Sequence, residues 1–124
     1  MDNAEIAKQL FAALAGQDEA AVRHLCAPDM CVRQNNGRPM SLETLLRFNA
    51  AVGRVVTDFR YEDAVRSATA TGFVEEHAVR GTLPDGKALE LAVCVVASVK
   101  DGRVTDVREY VDSAASAGLA AALA

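Results

Sequence analysis

From about residue 56 onward the chain alternates apolar and polar residues, and this two-residue period is the feature that most constrains its fold. The alternation predicts four strands, over residues 56–67, 72–83, 87–99 and 103–112. The connections Leu83–Gly86 and Lys100–Gly102 carry Asp and Gly, whose backbone angles suit tight reversals. Because consecutive strands joined by tight turns pair antiparallel, the second half of the chain is predicted to form a meander.

The first half of the chain has helical periodicity instead. The predicted elements are a helix over residues 3–15, a helix from Asp18 to Leu25, a strand over residues 30–34, a turn at residues 35–37 and a helix over residues 42–52. Asp18 and Ser41 are the expected N-caps, and Gly16 and Gly53 the expected stops. The Ala-rich tail, residues 113–124, is either a short helix over the sheet or a frayed end.

Three helices followed by a long meander predict an α+β fold, in which the helices pack against one face of a curved, mainly antiparallel sheet. The curvature leaves a concavity, which favours a small-molecule pocket. With 124 residues, 51% of them hydrophobic, and no linker or repeat, the chain is expected to form a single domain over residues 1–124.

Charge and composition exclude several classes of partner. A net charge of -4 argues against nucleic acid and against an anionic membrane surface. The longest mainly apolar stretch, Leu89–Val99, is far shorter than the ~20 residues that span a bilayer. No basic segment precedes an apolar one at the N-terminus, so no secretory signal is expected. Three cysteines without CxxC spacing predict small buried thiols in a reducing cytoplasm.

The third predicted strand has one strongly apolar face. That face consists of Leu89, Leu91, Val93, Val95, Ala97 and Val99. We interpret it as the core or the pocket wall. The opposite face is small and half polar, which suits a dimer contact.

The last predicted strand carries a carboxylate on its apolar face. The set Thr105, Val107, Glu109 and Val111 is expected to face inward, because the opposite set carries three charges. Glu109 then lies between two valines. A carboxylate in such a place is either an acid/base group or one half of a structural ion pair.

On the second predicted strand the alternation does not choose the inner face. One set is Val74, Glu76, Ala78, Arg80 and Thr82, and the other is Phe73, Glu75, His77, Val79 and Gly81. If the first set is inward, Glu76 and Glu109 flank the third strand, with Arg80 near enough to neutralise one of them. His77 then points to the opposite face and is interpreted as a surface or interface histidine, and His24 as a helix-end residue.

Several segments together resemble the nuclear transport factor 2-like superfamily, and within it the SnoaL-like polyketide cyclases, ketosteroid isomerases and limonene-epoxide hydrolases. These segments are Gly72–Glu76, Arg80–Gly81, Leu83–Gly86, Lys100–Val104 and Arg108–Asp112, which ends in Arg-x-Tyr-x-Asp. The resemblance implies a cone-shaped α+β fold around a deep apolar pocket. It also implies a homodimer that uses neither a metal nor an organic cofactor.

The resemblance also assigns positions to a known catalytic set. The epoxide hydrolases use an Asp-Arg-Asp arrangement, whose matching positions in this chain are Ala78, Glu76 and Glu109. Only Glu109 keeps a carboxylate, which argues against epoxide hydrolysis. The resemblance further places a polar group of the first short strand, which holds water or substrate, near Gln34.

These observations predict a cofactor-independent acid/base enzyme, namely an isomerase, cyclase or related lyase or hydrolase acting on a small apolar carbonyl compound. Glu109 and Glu76 are the predicted catalytic residues. The predicted pocket residues are Arg80, Gln34, Ala78, Leu91, Val93, Val107 and Val111. The alternative is a non-catalytic small-ligand-binding or dimeric scaffold module, which accounts for the incomplete catalytic set. No nucleophile, phosphate-loop, dinucleotide or metal-ligand motif is present.

Overall fold

Four helices and one six-stranded sheet make up the computed structural model, which describes residues 1–124. In chain order they are α1 (Asn3–Ala15), α2 (Glu19–Leu25), β1 (Cys26–Gln34), β2 (Met40–Ser41), α3 (Leu42–Val55), β3 (Thr57–Ala68), β4 (Gly72–Thr82), β5 (Ala88–Lys100), β6 (Arg103–Val111) and α4 (Ala117–Leu123). The strand order across the sheet is β2-β1-β6-β5-β4-β3. Only β1 and β6 pair in parallel, and every other neighbouring pair is antiparallel. The predicted α+β fold with a curved, mainly antiparallel sheet is confirmed.

Local hydrogen bonds start the helices where the sequence predicted. The carboxylate of Asp18 accepts from the backbone N–H of Ala21 at 3.1 Å, and the hydroxyl of Ser41 accepts from that of Thr44 at 3.2 Å. Gly16 is the C-cap of α1, as predicted.

The prediction that Gly53 ends the third helix is wrong, because α3 continues to Val55. A Cβ atom at Gly53 would lie 2.5 Å from the side-chain nitrogen of Gln17, which donates to the carbonyl of Asn49 at 2.9 Å. The glycine therefore serves close packing between α3 and the loop after α1. Its cost of about 1 kcal/mol in a helix is offset by the buried residues of α3 on either side.

The meander is confirmed, with ends that differ from the predictions by at most one residue. The β4–β5 ladder runs without interruption from Gly72 opposite Ser98 to Thr82 opposite Ala88. By contrast, β3 has two irregularities, where Asp58 and Asp63 adopt φ angles of 56° and 58°. Such bulges bend a strand and increase its twist, so β3 curls toward the helices.

The concave face of the sheet packs against α1, α2 and α3. As predicted, Leu91, Val93 and Val95 of β5 are buried there. On β6 the expected inward set needs one correction, because Val104 is 0% exposed while Thr105 is half-buried. The physical reason is a shift in the β5–β6 register between Ser98 and Val99, which reverses the faces before Val107.

On β4 the inward residues are Phe73, Glu75, His77, Val79 and Gly81. Cross-strand partners share a face, and Val79 and His77 lie opposite Leu91 and Val93, whose side chains form the core. The apolar face of β5 thus forces this set of β4 inward.

Of the two alternatives for the tail, the short helix is present. Leu119 of α4 is buried and belongs to the main apolar core. All three cysteines are free, with Cys26 buried and the other two half-buried. None of the four helices has the length and apolar character needed to cross a membrane.

Candidate functional site

A cavity of about 190 Å³ lies between the concave face of the sheet and helices α1, α3 and α4. Of its 24 lining residues, 19 are hydrophobic, so its polar groups stand out. They are Gln34, Asn49, His77, Glu109 and Ser116, together with the hydroxyl group of Tyr61. Glu109 is the single carboxylate in the lining, and no lysine or arginine joins it. No three His, Cys, Asp or Glu side chains come together in a way that could hold a metal ion.

Glu109 is held at the junction between β6 and β1. The parallel pairing of these strands sets Gln34 opposite Glu109, and the side-chain amide of Gln34 donates to Glu109 Oε1 at 3.1 Å. The second oxygen, Oε2, receives no hydrogen bond from the protein. Gln34 therefore orients the carboxylate and leaves one oxygen free.

Asn35 fixes the backbone next to this carboxylate. Its N–H donates to the carbonyl of Glu109 at 2.8 Å. Its side chain donates to the carbonyl of Val111 at 2.8 Å and accepts from the N–H of Val111 at 3.0 Å. Asn35 has a φ of 50°, a left-handed conformation that asparagine tolerates better than most residues. The predicted Asn-Asn-Gly turn thus also positions the site.

A buried carboxylate on β4 anchors the opposite wall of the cavity. Glu75 is 0% exposed, and its Oε1 accepts from Arg66 Nε of β3 at 2.6 Å. Its Oε2 lies 2.6 Å from Nδ1 of His77, whose side chain lines the cavity. Arg66 supplies the positive charge that a buried carboxylate requires.

Aromatic rings surround His77. Its ring centroid lies 4.8 Å from that of Phe11 and 4.7 Å from that of Tyr61. Tyr61 in turn makes edge contacts with Phe11 at 5.3 Å and with Phe59 at 5.2 Å. The imidazole is therefore held by packing as well as by its hydrogen bond.

Tyr61 adds a neutral donor to the site. Burial raises the pKa of its hydroxyl above the ordinary value of 10.0, and the negative charges of Glu109 and Glu75 raise it further. The hydroxyl thus stays protonated at neutral pH. It makes no hydrogen bond within the protein and can donate one to a bound molecule.

The structure brings some of the predicted site residues together and separates others. Those that line the cavity are Gln34, Leu91, Val93, Val107 and Glu109. Val111 packs against the core beside the cavity without lining it. Whether these residues act in catalysis or binding stays a prediction.

Glu76, Ala78 and Arg80 lie on the outer face of β4, which corrects their assignment to the pocket. They border a shallow depression on that face, where Arg80 pairs with Asp63 at 2.9 Å and with Glu90 at 3.3 Å. The physical reason is the β4–β5 register, which places them opposite outward residues of β5.

Glu75 and Tyr61 were not among the predicted site residues, and His77 was interpreted as a surface or interface histidine. The inner face of β4 is set by the hydrogen bonds of the turn between β4 and β5. Leu83 accepts from the N–H of Gly86 at 2.9 Å and its own N–H donates to Lys87 at 2.9 Å, so Thr82 pairs with Ala88. Counting back from this pair shows that His77 shares a face with Val93. For Tyr61 no such count was possible, because irregularities interrupt β3.

Comparison with known proteins extends these observations. Residues 7–107 match the family model described as the SnoaL-like domain. No curated protein sequence matches the chain.

Solved structures of the same shape are more numerous. A candidate polyketide cyclase from Pseudomonas putida has a TM-score of 0.79 and 20% identity, covering 90% of this chain and 92% of that one. A protein from Catenulispora acidiphila with a ketosteroid isomerase-like fold, in complex with trimethylamine, has a TM-score of 0.74 and 16% identity, covering 86% and 84%. An LEH-like epoxide hydrolase from M. tuberculosis has a TM-score of 0.76 and 17% identity, covering 98% and 88%. At these identities the likeness shows the fold.

Proposed function

The chain belongs to the SnoaL-like domain family of the nuclear transport factor 2-like superfamily, and on that premise we propose that it is a cofactor-independent acid/base enzyme acting on a small apolar carbonyl compound. The observation that carries the proposal is Glu109, the single carboxylate of a mainly apolar cavity, oriented by Gln34. The structural neighbours named as a cyclase, as isomerase-like and as an epoxide hydrolase support an enzyme of this kind.

In the proposed reaction the free oxygen of Glu109 accepts a proton from the carbon next to the carbonyl group. The electron pair of that C–H bond then forms the enolate, and the proton returns to the same carbon or to a neighbouring one. A positioned group that transfers a proton in this way contributes about 10²- to 10⁴-fold in rate. The hydroxyl of Tyr61 can donate to the oxygen on which negative charge develops.

The cavity also limits the substrate. Its volume of about 190 Å³ is below the roughly 300–1,000 Å³ of pockets for drug-sized ligands, which favours a compact molecule. The lining carries the negative charge of Glu109 and no lysine or arginine, which disfavours carboxylates and phosphates. A small neutral ketone or aldehyde fits both limits.

Exchange of carbonyl-adjacent protons in D₂O tests the proposal without knowledge of the natural substrate. We expect the protein to accelerate loss of the α-proton NMR signals of cyclohexanone and cyclohex-2-enone. Glu109→Gln should lower this rate at least ~10²-fold with an unchanged melting temperature, because glutamine keeps the hydrogen bond with Gln34 but takes up no proton.

Two results would decide against the enzyme. One is a Glu109→Gln variant that exchanges at the full rate. The other is a ketone that shifts the resonances of Leu91 and Val93, and so binds in the cavity, yet exchanges no faster than in buffer. That second result would support the alternative of a ligand-binding module without catalysis.

We also propose that two copies of the chain pair through the outer face of the sheet in the cytoplasm. Val65 is 63% exposed and Tyr110 is 42% exposed on that face, next to the small residues Ala92 and Cys94 of β5. Exposed apolar side chains beside small residues are typical of association surfaces. The three free cysteines support a reducing compartment.

A further inference from the structure

One ring nitrogen of His77 is held by a hydrogen bond and the other makes none. The reaction proposed for Glu109 involves neither nitrogen. The buried carboxylate of Glu75 receives Arg66 on one oxygen and Nδ1 of His77 on the other, each at 2.6 Å. Because a carboxylate only accepts hydrogen bonds, Nδ1 carries the hydrogen. Nε2 is then the nitrogen available for other chemistry.

The surroundings of His77 show where Nε2 points. The residue is 5% exposed and its ring packs against Phe11 and Tyr61 on the concave side of the sheet. Nε2 has no hydrogen-bond partner, although every fully buried side-chain nitrogen or oxygen in the structure has one. Nε2 therefore borders open space. His77 also borders the depression on the outer face, but its ring packs against Phe11 and Tyr61, which line only the cavity, so the open space at Nε2 is the cavity.

The strand register places His77 across the cavity from Glu109. Val95 of β5 lies between Glu75 and Glu109, and Val93 lies opposite His77. His77 is thus two strands over and two residues along from Glu109, a Cα separation of roughly 12 Å on a flat sheet. Both side chains project inward over the curved face and line the same cavity.

We propose that His77 is a second catalytic group: with a hydrogen on each ring nitrogen, it passes the Nε2 proton to the carbonyl oxygen while Glu109 takes a proton from the neighbouring carbon. This inference rests on the proposed function. Glu75 and Arg66 act through His77 and are positioning residues, because they hold Nδ1 and so aim Nε2.

The proton balance of this step needs no further reactant. The C–H bond breaks toward Glu109 and its electron pair forms the C=C bond of an enol. The oxygen takes the proton of the His77 imidazolium, which becomes neutral. In the second half the proton on Glu109 passes to a carbon and the enol proton returns to His77. The product is an isomer, and both groups regain their starting states.

The position of Nε2 can be tested without turnover. The chain has two histidines, so ¹⁵N-labelled imidazole in a His24→Gln variant reports on His77 alone. We expect the neutral ring to carry its hydrogen on Nδ1, and cyclohexanone to shift the Nε2 resonance more than the Nδ1 resonance. A neutral ring that carries its hydrogen on Nε2 would overturn the inference. So would an Nε2 resonance that does not shift when cyclohexanone binds.

The catalytic role is tested by exchange rates. His77→Gln should slow α-proton exchange of cyclohexanone by ~10²-fold, and the exposed His24→Gln should leave it unchanged. Glu75→Gln should lower kcat about tenfold with KM unchanged, a split that a general loss of structure would not give. A His77→Gln variant that folds and exchanges at the wild-type rate would sink the idea.

The two proposals fail separately. If Glu109→Gln retains exchange while His77→Gln loses it, the role of Glu109 is wrong and that of His77 stands. If the reverse holds, only His77 is wrongly assigned. If His77→Gln does not fold, the NMR result on the His24→Gln protein decides.

Discussion

Two adjacent glutamates of β4 occupy opposite environments. Glu75 is completely buried between Arg66 and His77 at the cavity wall, whereas Glu76 is exposed on the outer face. They have the same side chain and consecutive positions, so the difference comes from their neighbours. A buried carboxylate persists only where a charge and hydrogen bonds replace its water, and Arg66 and His77 supply them to Glu75 on the concave side. The pair teaches that burial on this strand follows cross-strand partners rather than polarity.

The largest expected effect is on stability at these two positions. Glu75→Ala should lower the free energy of unfolding by about 3–5 kcal/mol, because it leaves Arg66 and His77 without their partner in the interior. Glu76→Ala, the matched control, should change it by less than about 0.5 kcal/mol. Urea denaturation of both variants measures the difference. Equal losses would show that the two glutamates share one environment.

The loss of stability at alkaline pH should also differ between a buried and an outer cysteine, by a smaller amount. Burial raises the pKa of the Cys26 thiol at the cavity from 9.0 to about 11. The folded protein therefore binds this proton more tightly than the unfolded chain, so stability is full below pH 9 and is lost as the pH rises toward 11. The thiol accounts for roughly 2 kcal/mol of this loss by pH 10.5.

The matched variants for this effect are Cys26→Ala and Cys94→Ala. Urea unfolding at pH 7.5 and 10.5 should show a smaller alkaline loss in Cys26→Ala than in the wild type, and an unchanged loss in Cys94→Ala on the outer face. Tyr61, whose pKa burial also raises, adds a loss in both variants above pH 10. Identical alkaline losses in both variants would show that the Cys26 thiol is not protected by burial.

The smallest effect on folding is expected on the outer face itself. Tyr110→Glu should change the stability of the monomer by less than about 0.5 kcal/mol, since the ring is 42% exposed. It should nevertheless halve the mass measured by light scattering, because a charge on each copy would be buried in the proposed dimer contact. A wild type that is monomeric at high concentration, or a variant that stays dimeric, would contradict that contact.

Much of the fold could be predicted because its signals are local. Asp18 and Ser41 cap their helices where expected, and the alternation of β5 gave the correct inner face. Gly53 was wrongly taken as a stop because its role depends on Gln17, which is distant in sequence. The shift that buries Val104 likewise depends on the partner strand and leaves no local trace.

The site was harder to predict from the sequence, because its contacts also join residues that are distant along the chain. Glu109 and Gln34 were found because one lies on an apolar strand face and the other matches a family position. Glu75 looked like any charged strand residue, and its ion pair with Arg66 forms across the irregular β3–β4 ladder. Tyr61 lies between the two irregularities of β3, so the alternation of that strand did not show that it lines the cavity.

The turn between β4 and β5 has a consequence for how this cavity could change in evolution. Its residues Pro84–Lys87 are exposed, so their identities are weakly constrained by packing. Their number, however, fixes the parity of the β4 ladder. Removing one residue there while β5 keeps its place would present Glu76, Ala78 and Arg80 to the ligand and expel Glu75 and His77. A single-codon deletion in a surface loop would thus put a guanidinium where the cavity wall now has an imidazole, without any substitution in β4 itself.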